Sequence, residues 1–150
     1  MMIKSFFPLI ILMCLKTYSQ NFFLEKIQYN ELNNKQKEIY NYHKVASALA
    51  EYGYDCLRLN NDWEGADFIA IKANKILKIQ LKGRFTIDKK YIGKDLYIAF
   101  KEKDYIKIYK HDEAVNKIPE RISKSNSWLI EGHYNWSNTP KFYNDIIIIL

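Results

Sequence analysis

The sequence predicts an α/β domain in which helices flank a central mixed β-sheet, and three features carry this prediction. Residues 35–52 repeat apolar side chains at three- and four-residue spacing, which is typical of an amphipathic helix. Residues 66–82 contain two short apolar runs with a turn between them, which predicts a β-hairpin. Two further apolar segments, residues 96–100 and 105–109, predict additional strands of the same sheet.

The first helix and the segments after it have recognisable boundaries. Gly53 follows the last apolar position of the helix, where a glycine commonly ends the final turn. Residues 54–59 then predict the first strand, and residues 60–65 combine polar turn formers with a glycine. We therefore expect a sharp loop over residues 60–65 that leads the chain into the hairpin.

The C-terminal half is less regular. Residues 111–118 predict a second helix, with Asp112 as its N-terminal cap. Residues 128–130 and 145–150 are apolar enough to form strands, and the second run is equally readable as a packed tail. Because the chain shows no internal repeat and its hydrophobic content of 48% can fill a core, we expect residues 21–150 to form a single domain.

The spacing across the predicted hairpin brings three polar side chains to one face. With a two-residue turn at residues 73–74, Asp67 lies directly opposite Gln80, where opposed side chains stand roughly 5 Å apart. Lys82 points to the same face as Gln80 because side chains along a strand alternate. A centred four-residue loop keeps this register, whereas a three-residue loop would set Leu81 opposite Asp67. The two-residue turn therefore predicts a carboxylate, an amide and an ammonium close together.

Asp67 and the tripeptide Gln80-Leu81-Lys82, with twelve positions between them, resemble the motif of the PD-(D/E)xK nuclease superfamily in its Q-x-K form. Ala66 stands where that motif has a proline, and the glutamine stands where its standard form has a second acidic residue. The order of elements around the motif is similar as well, so the resemblance covers roughly residues 32–115. It implies a restriction-endonuclease-like core.

The resemblance also implies a function, which is metal-dependent cleavage of DNA by an endonuclease that uses Mg²⁺ or Mn²⁺. Asp67 and Gln80 would supply oxygen ligands of the kind that Mg²⁺ prefers, and the backbone carbonyl of Leu81 would complete the set. Lys82 would orient the attacking water and stabilise the charge on the phosphate. Asp67, Gln80 and Lys82 are thus the candidate catalytic residues.

Two glutamates outside the motif are further candidates. Glu64 precedes Asp67 in the chain and would partly offset the missing acidic residue if it joined the metal ligands. In the resembling family a glutamate on the first helix often assists metal binding, and Glu38 is the candidate here. For both residues the alternative is an ordinary solvated glutamate.

Positive charge is concentrated around the predicted hairpin. The chain has a net charge of +6, and residues 66–94 hold eight lysines and arginines against two aspartates, so the remainder is neutral. Such a surface favours a polyphosphate partner, because phosphate contacts supply most of the sequence-independent affinity for nucleic acid. A solvated lysine-rich face is the alternative. We expect DNA as the partner and leave a homodimer open; the candidate phosphate-binding residues are Arg84, Lys89, Lys90 and Lys94.

The N-terminus permits two interpretations. Lys4 precedes an apolar run over residues 6–15, and small residues follow at the two positions that a signal peptidase reads. Residues 1–20 are therefore either a secretory signal peptide or an extension upstream of a true start at Met13. The run is too short for a membrane span, which needs about 20 apolar residues, so no integral membrane association is expected after processing. A signal peptide would place the protein in the periplasm or outside the cell, and a downstream start would place it in the cytoplasm.

Other chemistries lack a supporting pattern. The histidines His43, His111 and His133 have no zinc spacing with one another or with the two cysteines. Neither a phosphate-cradling glycine loop nor a nucleophile elbow appears in the sequence. Three functions remain open: a metal-dependent DNA endonuclease, a non-catalytic or weakly catalytic nucleic-acid-binding module of the same fold, and a secreted small protein without nuclease activity.

Overall fold

A computed structural model describes residues 25–150 of the chain. Within this range, residues 25–35 and residues 36–150 fall in different compact units. In the first unit, Tyr29–Glu31 form a single 3-10 turn. The predicted signal peptide or extension, residues 1–20, lies outside the described residues. Across the described part of the chain, no helix is both long enough and apolar enough to cross a membrane.

The described residues form eight β-strands, three α-helices and short turns of 3-10 and π-helix. In chain order the helices and strands are α1 Asn34–Glu51, β1 Asp55–Trp63, β2 Ala66–Lys72, β3 Lys75–Leu81, β4 Thr86–Asp88, β5 Leu96–Glu102, β6 Tyr105–Lys110, α2 His111–Asn116, α3 Glu120–Ser123, β7 His133–Asn135 and β8 Ile148–Ile149. Besides Tyr29–Glu31, the 3-10 turns are Lys89–Tyr91 and Lys141–Tyr143, and the π-helix is Ser127–Glu131.

Six of these strands make one mixed sheet in the order β1-β2-β3-β5-β6-β8. Strands β3 and β5 are parallel, and all the other neighbouring pairs are antiparallel. A separate two-stranded sheet joins β4 to β7. The prediction of an α/β protein with a central mixed sheet and flanking helices is therefore confirmed.

The mixed sheet is covered on both sides because alternate side chains of its central strands point into two different apolar clusters. The cluster on the side that we call the α1 face contains Val45, Leu49, Phe68, Ala70, Ile79, Ala99, Ile106 and Ile108. The cluster on the opposite side, the β4 face, includes Phe85, Ile87, Tyr91, Leu96, Ile98, Phe100, Tyr109 and Tyr143. Phe68 and Ile79 point to the α1 face, so their chain neighbours Asp67 and Gln80 point to the β4 face.

A stack of aromatic rings fixes β4 on that face. The ring of Phe85 lies 4.3 Å from that of Tyr109 and 4.5 Å from that of Tyr143, centroid to centroid. The Tyr109 hydroxyl accepts the Thr86 N–H at 3.1 Å and donates to the Thr86 carbonyl. Strand β4 is thereby tied to the sheet by both packing and hydrogen bonds, and the segment that follows it lies against the end of β3.

The predicted loop over residues 60–65 is wrong, because β1 continues to Trp63. Its pairing with β2 is irregular between Arg58 and Trp63, so an edge strand accommodates these polar residues without a loop. A two-residue turn follows, in which Glu64 has φ 56° and Gly65 has φ 92°. Two consecutive residues with positive φ are typical of the tight turns that match the twist of a hairpin.

Among three further predictions for the C-terminal half, two are wrong and one is confirmed. Residues 128–130 lie in the π-helix and not in a strand, because only Trp128 is buried and its two neighbours point to solvent. Asp112 is not the cap of α2; its carboxylate accepts the Gly93 N–H at 3.1 Å instead. The apolar run over residues 145–150 does contain a strand, β8, which pairs with β6.

Candidate active site

The β2–β3 hairpin has the register that a two-residue turn predicts. Lys72 pairs with Lys75, and the pairing continues in step toward Asp67 and Gln80. Gln80 Nε2 donates to Asp67 Oδ2 at 2.5 Å, and the Leu81 backbone N–H donates to the same oxygen at 2.7 Å. The predicted contact between the carboxylate and the amide is therefore present.

The Gln80 amide turns its nitrogen toward Asp67 and its oxygen away. Besides its bond to Asp67, Nε2 donates to the Leu81 carbonyl at 3.0 Å. The Oε1 atom accepts a hydrogen bond of 3.2 Å from the Tyr91 hydroxyl. Carboxylate and carbonyl oxygens only accept hydrogen bonds, so the group between them must be the amide nitrogen. The oxygen that the sequence offered as a metal ligand thus faces Tyr91 in this arrangement.

Lys82 lies at the same end of the hairpin and contacts the same tyrosine. Its backbone N–H donates to the Ala99 carbonyl at 3.0 Å, which holds the residue beside β5. Its ammonium lies 5.0 Å from the centroid of the Tyr91 ring, and that of Lys90 lies 4.9 Å from the same centroid. Tyr91 is only 5% exposed. Tyr91 is not among the predicted site residues, and its one signal in the sequence is an aromatic residue directly after two lysines.

His111 contacts Tyr91 and the end of β4 beside the site. It is fully buried, and its Nε2 accepts the Asp88 backbone N–H at 3.1 Å. Its ring meets that of Tyr91 edge-on, with 5.6 Å between centroids. Burial lowers the pKa of His111; Asp112 and Asp88 oppose this shift, and the Lys82 ammonium adds to it. His111 is therefore a neutral residue that fixes the segment carrying Tyr91.

The two candidate glutamates outside the motif have other partners. Glu64 pairs with Lys78 Nζ at 2.7 Å, and this hydrogen bond lowers the pKa of the glutamate. Lys78 shares its face of β3 with Gln80, so Glu64 stands on the side of the sheet that carries the site. Glu38 pairs with Arg58, whose guanidinium lies over the Tyr42 ring on the α1 face. The structure therefore places Glu38 with Arg58 on the face opposite Asp67, and a metal ligand from this helix stays a prediction.

The candidate phosphate-binding residues lie on and around β4. Arg84 and Lys89 are exposed; Arg84 Nη1 donates to Asn135 Oδ1 at 3.5 Å, and Lys89 Nζ lies 5.3 Å from the centroid of the Trp128 ring. Lys90 is also exposed and pairs with Asp88 at 3.4 Å. The Lys94 backbone N–H donates to the Tyr91 carbonyl at 3.2 Å. Lys82 and Lys90 thus lie over the Tyr91 ring, whereas Arg84 and Lys89 contact Asn135 and Trp128.

The oxygen atoms at the site come from one carboxylate and one main-chain carbonyl. Asp67 Oδ2 and the Leu81 carbonyl both accept from Gln80 Nε2, so they converge on the position of this amide nitrogen. Within residues 25–150, histidine, cysteine, aspartate and glutamate side chains nowhere form a group of three that could hold a metal ion. A cation at Asp67 would therefore depend on neutral oxygens and on its substrate for its remaining ligands.

No protein-family model matches the chain, and no curated protein sequence matches it.

Proposed function

We propose that the protein is a metal-dependent endonuclease that hydrolyses phosphodiester bonds in DNA. One observation carries the proposal: the Asp67 carboxylate and the Leu81 carbonyl converge on one position, at the end of the hairpin that also holds Lys82. Hard oxygen atoms next to a cationic side chain, with further lysines around them, are what the hydrolysis of a phosphodiester requires.

The oxygen atoms at the site fit a Mg²⁺ or Mn²⁺ ion. Mg²⁺ is commonly held by one or two carboxylates, with waters and substrate phosphates filling the other positions. Asp67 and the Leu81 carbonyl would hold the ion, and Gln80 would add its oxygen after its amide rotates. The bound ion would polarise the phosphate and lower the pKa of a water ligand.

The protein's own side chains would handle the substrate. The Lys82 ammonium would stabilise the negative charge that grows on the phosphate oxygens as water attacks phosphorus. The new bond joins the water oxygen to phosphorus, the bond from phosphorus to one sugar oxygen breaks, and a proton passes to that leaving oxygen. The exposed residues Arg84, Lys89 and Lys90 would bind neighbouring phosphates, and Lys94 would reinforce them.

A second candidate function is DNA binding without cleavage, and a specific contact favours it. Asp67 Oδ2 already accepts two N–H groups, from Gln80 and Leu81, so the carboxylate is stabilised without an ion. The basic residues around Tyr91 would serve either function. The two functions differ in one property, because only the endonuclease requires a divalent ion for its effect on DNA.

Cleavage of plasmid DNA and of an equivalent RNA, with Mg²⁺ or with a chelator, tests the proposal. We expect Mg²⁺-dependent cleavage by the natural protein, no cleavage by Asp67→Asn, and a loss of about 100-fold or more in Lys82→Ala. Affinity for DNA should change little in either variant, because one charge among many phosphate contacts matters little. Asp145→Asn is the matched control, since Asp145 is an exposed aspartate paired with Lys117.

The outcomes separate the three functions. Wild-type cleavage rates in Asp67→Asn would remove this site from the reaction. Metal-independent DNA binding by the natural protein, without cleavage, would establish the second candidate function. Neither binding nor cleavage, with an N-terminus processed after residue 19 or 20 on N-terminal sequencing, would favour a secreted protein without nuclease activity.

A further inference from the structure

We propose that Tyr91 is a positioning residue for this reaction, with its hydroxyl orienting Gln80 and its ring orienting Lys82. The inference rests on the proposed function, because it assigns a role in that reaction to a residue outside the motif. It starts from the fact that one buried side chain contacts both polar members of the Q-x-K tripeptide.

The Tyr91 hydroxyl can pair with the Gln80 side chain in either orientation of the amide. At present it donates to Gln80 Oε1 while Nε2 faces Asp67 and the Leu81 carbonyl. A hydroxyl group can also accept a hydrogen bond. If the amide rotates to present its oxygen to an ion beside Asp67, its nitrogen then faces a hydroxyl that can accept from it. Tyr91 therefore keeps the amide paired in both orientations.

The Tyr91 ring holds the Lys82 ammonium at the site, where it would meet a phosphate. An ammonium is attracted to the face of an aromatic ring at the distance found for Lys82, which is 5.0 Å from the centroid. This attraction draws the Lys82 ammonium toward Tyr91 and hence toward Gln80. Lys90 is held at 4.9 Å from the same centroid, so one ring sets two cations.

The ring itself is held rigidly enough to do this. A Cβ atom at Gly65 would lie 2.9 Å from two ring carbons of Tyr91, so the ring packs directly on a position where only glycine fits. The buried His111 ring contacts Tyr91 edge-on from another direction. The Tyr91 side chain therefore packs between His111 at the start of α2 and Gly65 in the turn before β2.

Two substitutions separate the hydroxyl from the ring. Tyr91→Phe removes the hydroxyl and keeps the ring, whereas Tyr91→Leu removes both. The control is Tyr143→Phe, because the buried Tyr143 hydroxyl has no hydrogen-bond partner among the residues that the structure describes. Thermal unfolding monitors folding, and Tyr91→Phe alone is sufficient if Tyr91→Leu does not fold.

Two NMR signals report positioning without any metal or substrate. These are the side-chain NH₂ resonances of Gln80 and the ε-methylene protons of Lys82, which the Tyr91 ring current shifts. We expect Tyr91→Phe to move the Gln80 resonances and leave those of Lys82 in place. Tyr91→Leu should move both, and Tyr143→Phe should move neither. Unchanged Gln80 resonances in Tyr91→Phe would overturn the proposal.

The kinetic measurement is the Mg²⁺ dependence of cleavage. In Tyr91→Phe both orientations of the amide lose a partner. An N–H without an acceptor costs more than a carbonyl oxygen without a donor, so the rotated, ion-binding orientation is disfavoured and the half-maximal Mg²⁺ concentration should rise by about twofold to fivefold. The KM for DNA should not change. Tyr91→Leu should in addition lower kcat by about threefold to tenfold as Lys82 loses its ring.

The results distinguish failure of this inference from failure of the proposed function. If the natural protein cleaves DNA and Tyr91→Phe keeps its Mg²⁺ dependence, Tyr91 does not position Gln80 and the inference is overturned while the endonuclease stands. If the natural protein does not cleave DNA, the proposed function fails, and a role for Tyr91 in that reaction fails with it.

Discussion

At the scale of single residues, the site pairs the Asp67 carboxylate with the Gln80 amide. The amide stands where the standard form of the motif has a second carboxylate. Asp67 accepts from the Gln80 side chain and from the Leu81 backbone at one oxygen. Hydrogen bonds to a charged acceptor are about twice as strong as those between neutral groups, so this pair stabilises the hairpin as well as shaping the site. An acidic residue in place of Gln80 would remove the donor and oppose the charge.

This geometry predicts the behaviour of Gln80→Glu. Without metal, the new carboxylate should destabilise the fold by about 2 kcal/mol, because it replaces a donor to Asp67 with a like charge. Mg²⁺ should restore stability by binding only the native state, so the melting temperature should rise more with Mg²⁺ in the variant than in the natural protein.

Thermal unfolding with and without Mg²⁺ measures this difference. Gln36→Glu, an exposed position on α1, is the matched control and should show no Mg²⁺ effect beyond that of the natural protein. An equal Mg²⁺ effect in Gln80→Glu and in the natural protein would mean that residue 80 does not face the ion.

The buried His111 predicts a loss of stability in mild acid. Burial lowers its folded pKa below the ordinary value of 6.5, so the unfolded chain binds a proton more readily than the folded protein. Its contribution to stability is therefore fully present above about pH 6.5 and is lost as the pH falls from there through the lowered folded pKa. Protonation would also remove the acceptor for the Asp88 N–H.

Unfolding by urea between pH 8 and pH 5 tests this prediction. His111→Gln should flatten the pH dependence, whereas His43→Gln, at an exposed position on α1, should leave it unchanged. The slope due to one proton cannot exceed about 1.4 kcal/mol per pH unit. A dependence that persists in His111→Gln would assign it to another group.

At the scale of elements, the β2–β3 hairpin decides whether the site exists. Its register is enforced by burial, since Phe68 and Ile79 face each other in the cluster beneath α1. A slip of one residue would turn these side chains to the β4 face and would bring Lys78 and Gln80 into the cluster beneath α1 instead. The register that fills the core is therefore also the register that joins Asp67 to Gln80.

The turn of this hairpin carries backbone strain that a substitution can relieve. Ala73 has φ 50°, a left-handed conformation that costs a residue with a side chain roughly 1–2 kcal/mol. Ala73→Gly should therefore raise the free energy of unfolding by about 1 kcal/mol, which is a rise of about 2–4 °C in melting temperature. Asn74→Gly is the control and should give no such gain, because φ of Asn74 is not positive. A lower melting temperature in Ala73→Gly would contradict the strain.

At the scale of the whole molecule, charge and architecture coincide. The net charge of +6 arises in residues 66–94, and this segment places the Lys82 and Lys90 ammonium groups over the Tyr91 ring at the site. A cationic surface of this kind raises the rate and affinity of binding to a polyanion and makes both depend on salt.

The dependence of DNA affinity on salt tests where that surface lies. In a plot of log affinity against log salt concentration, Lys89→Ala with Lys90→Ala should reduce the slope by about two units, roughly one for each lost phosphate contact. The control pair is Lys101→Ala with Lys103→Ala, at the end of β5 and in the turn that follows it. A slope that changes only in the control pair would move the DNA-binding surface to that turn.

The sequence by itself determined those features that depend on neighbours along the chain. Helix α1 follows from the spacing of its apolar residues, and the hairpin register follows from a two-residue turn and alternation. From these two rules alone, Asp67 meets Gln80, and Lys82 lies on the same face. Local periodicity sufficed because each of these elements buries one continuous face.

Only the tertiary structure decided the features that depend on distant contacts. The orientation of the Gln80 amide is set by the Tyr91 hydroxyl, eleven positions away, and Tyr91 is held by Gly65 and His111. Residues 128–130 lie in a π-helix and not in a strand. Only Trp128 is buried in the core, and the apolar side chains of Leu129 and Ile130 are exposed. The periodicity of apolar residues predicts which side chains are buried. A hydrogen bond between distant segments produces no periodic pattern in the sequence, so its two partners are known only from the tertiary structure.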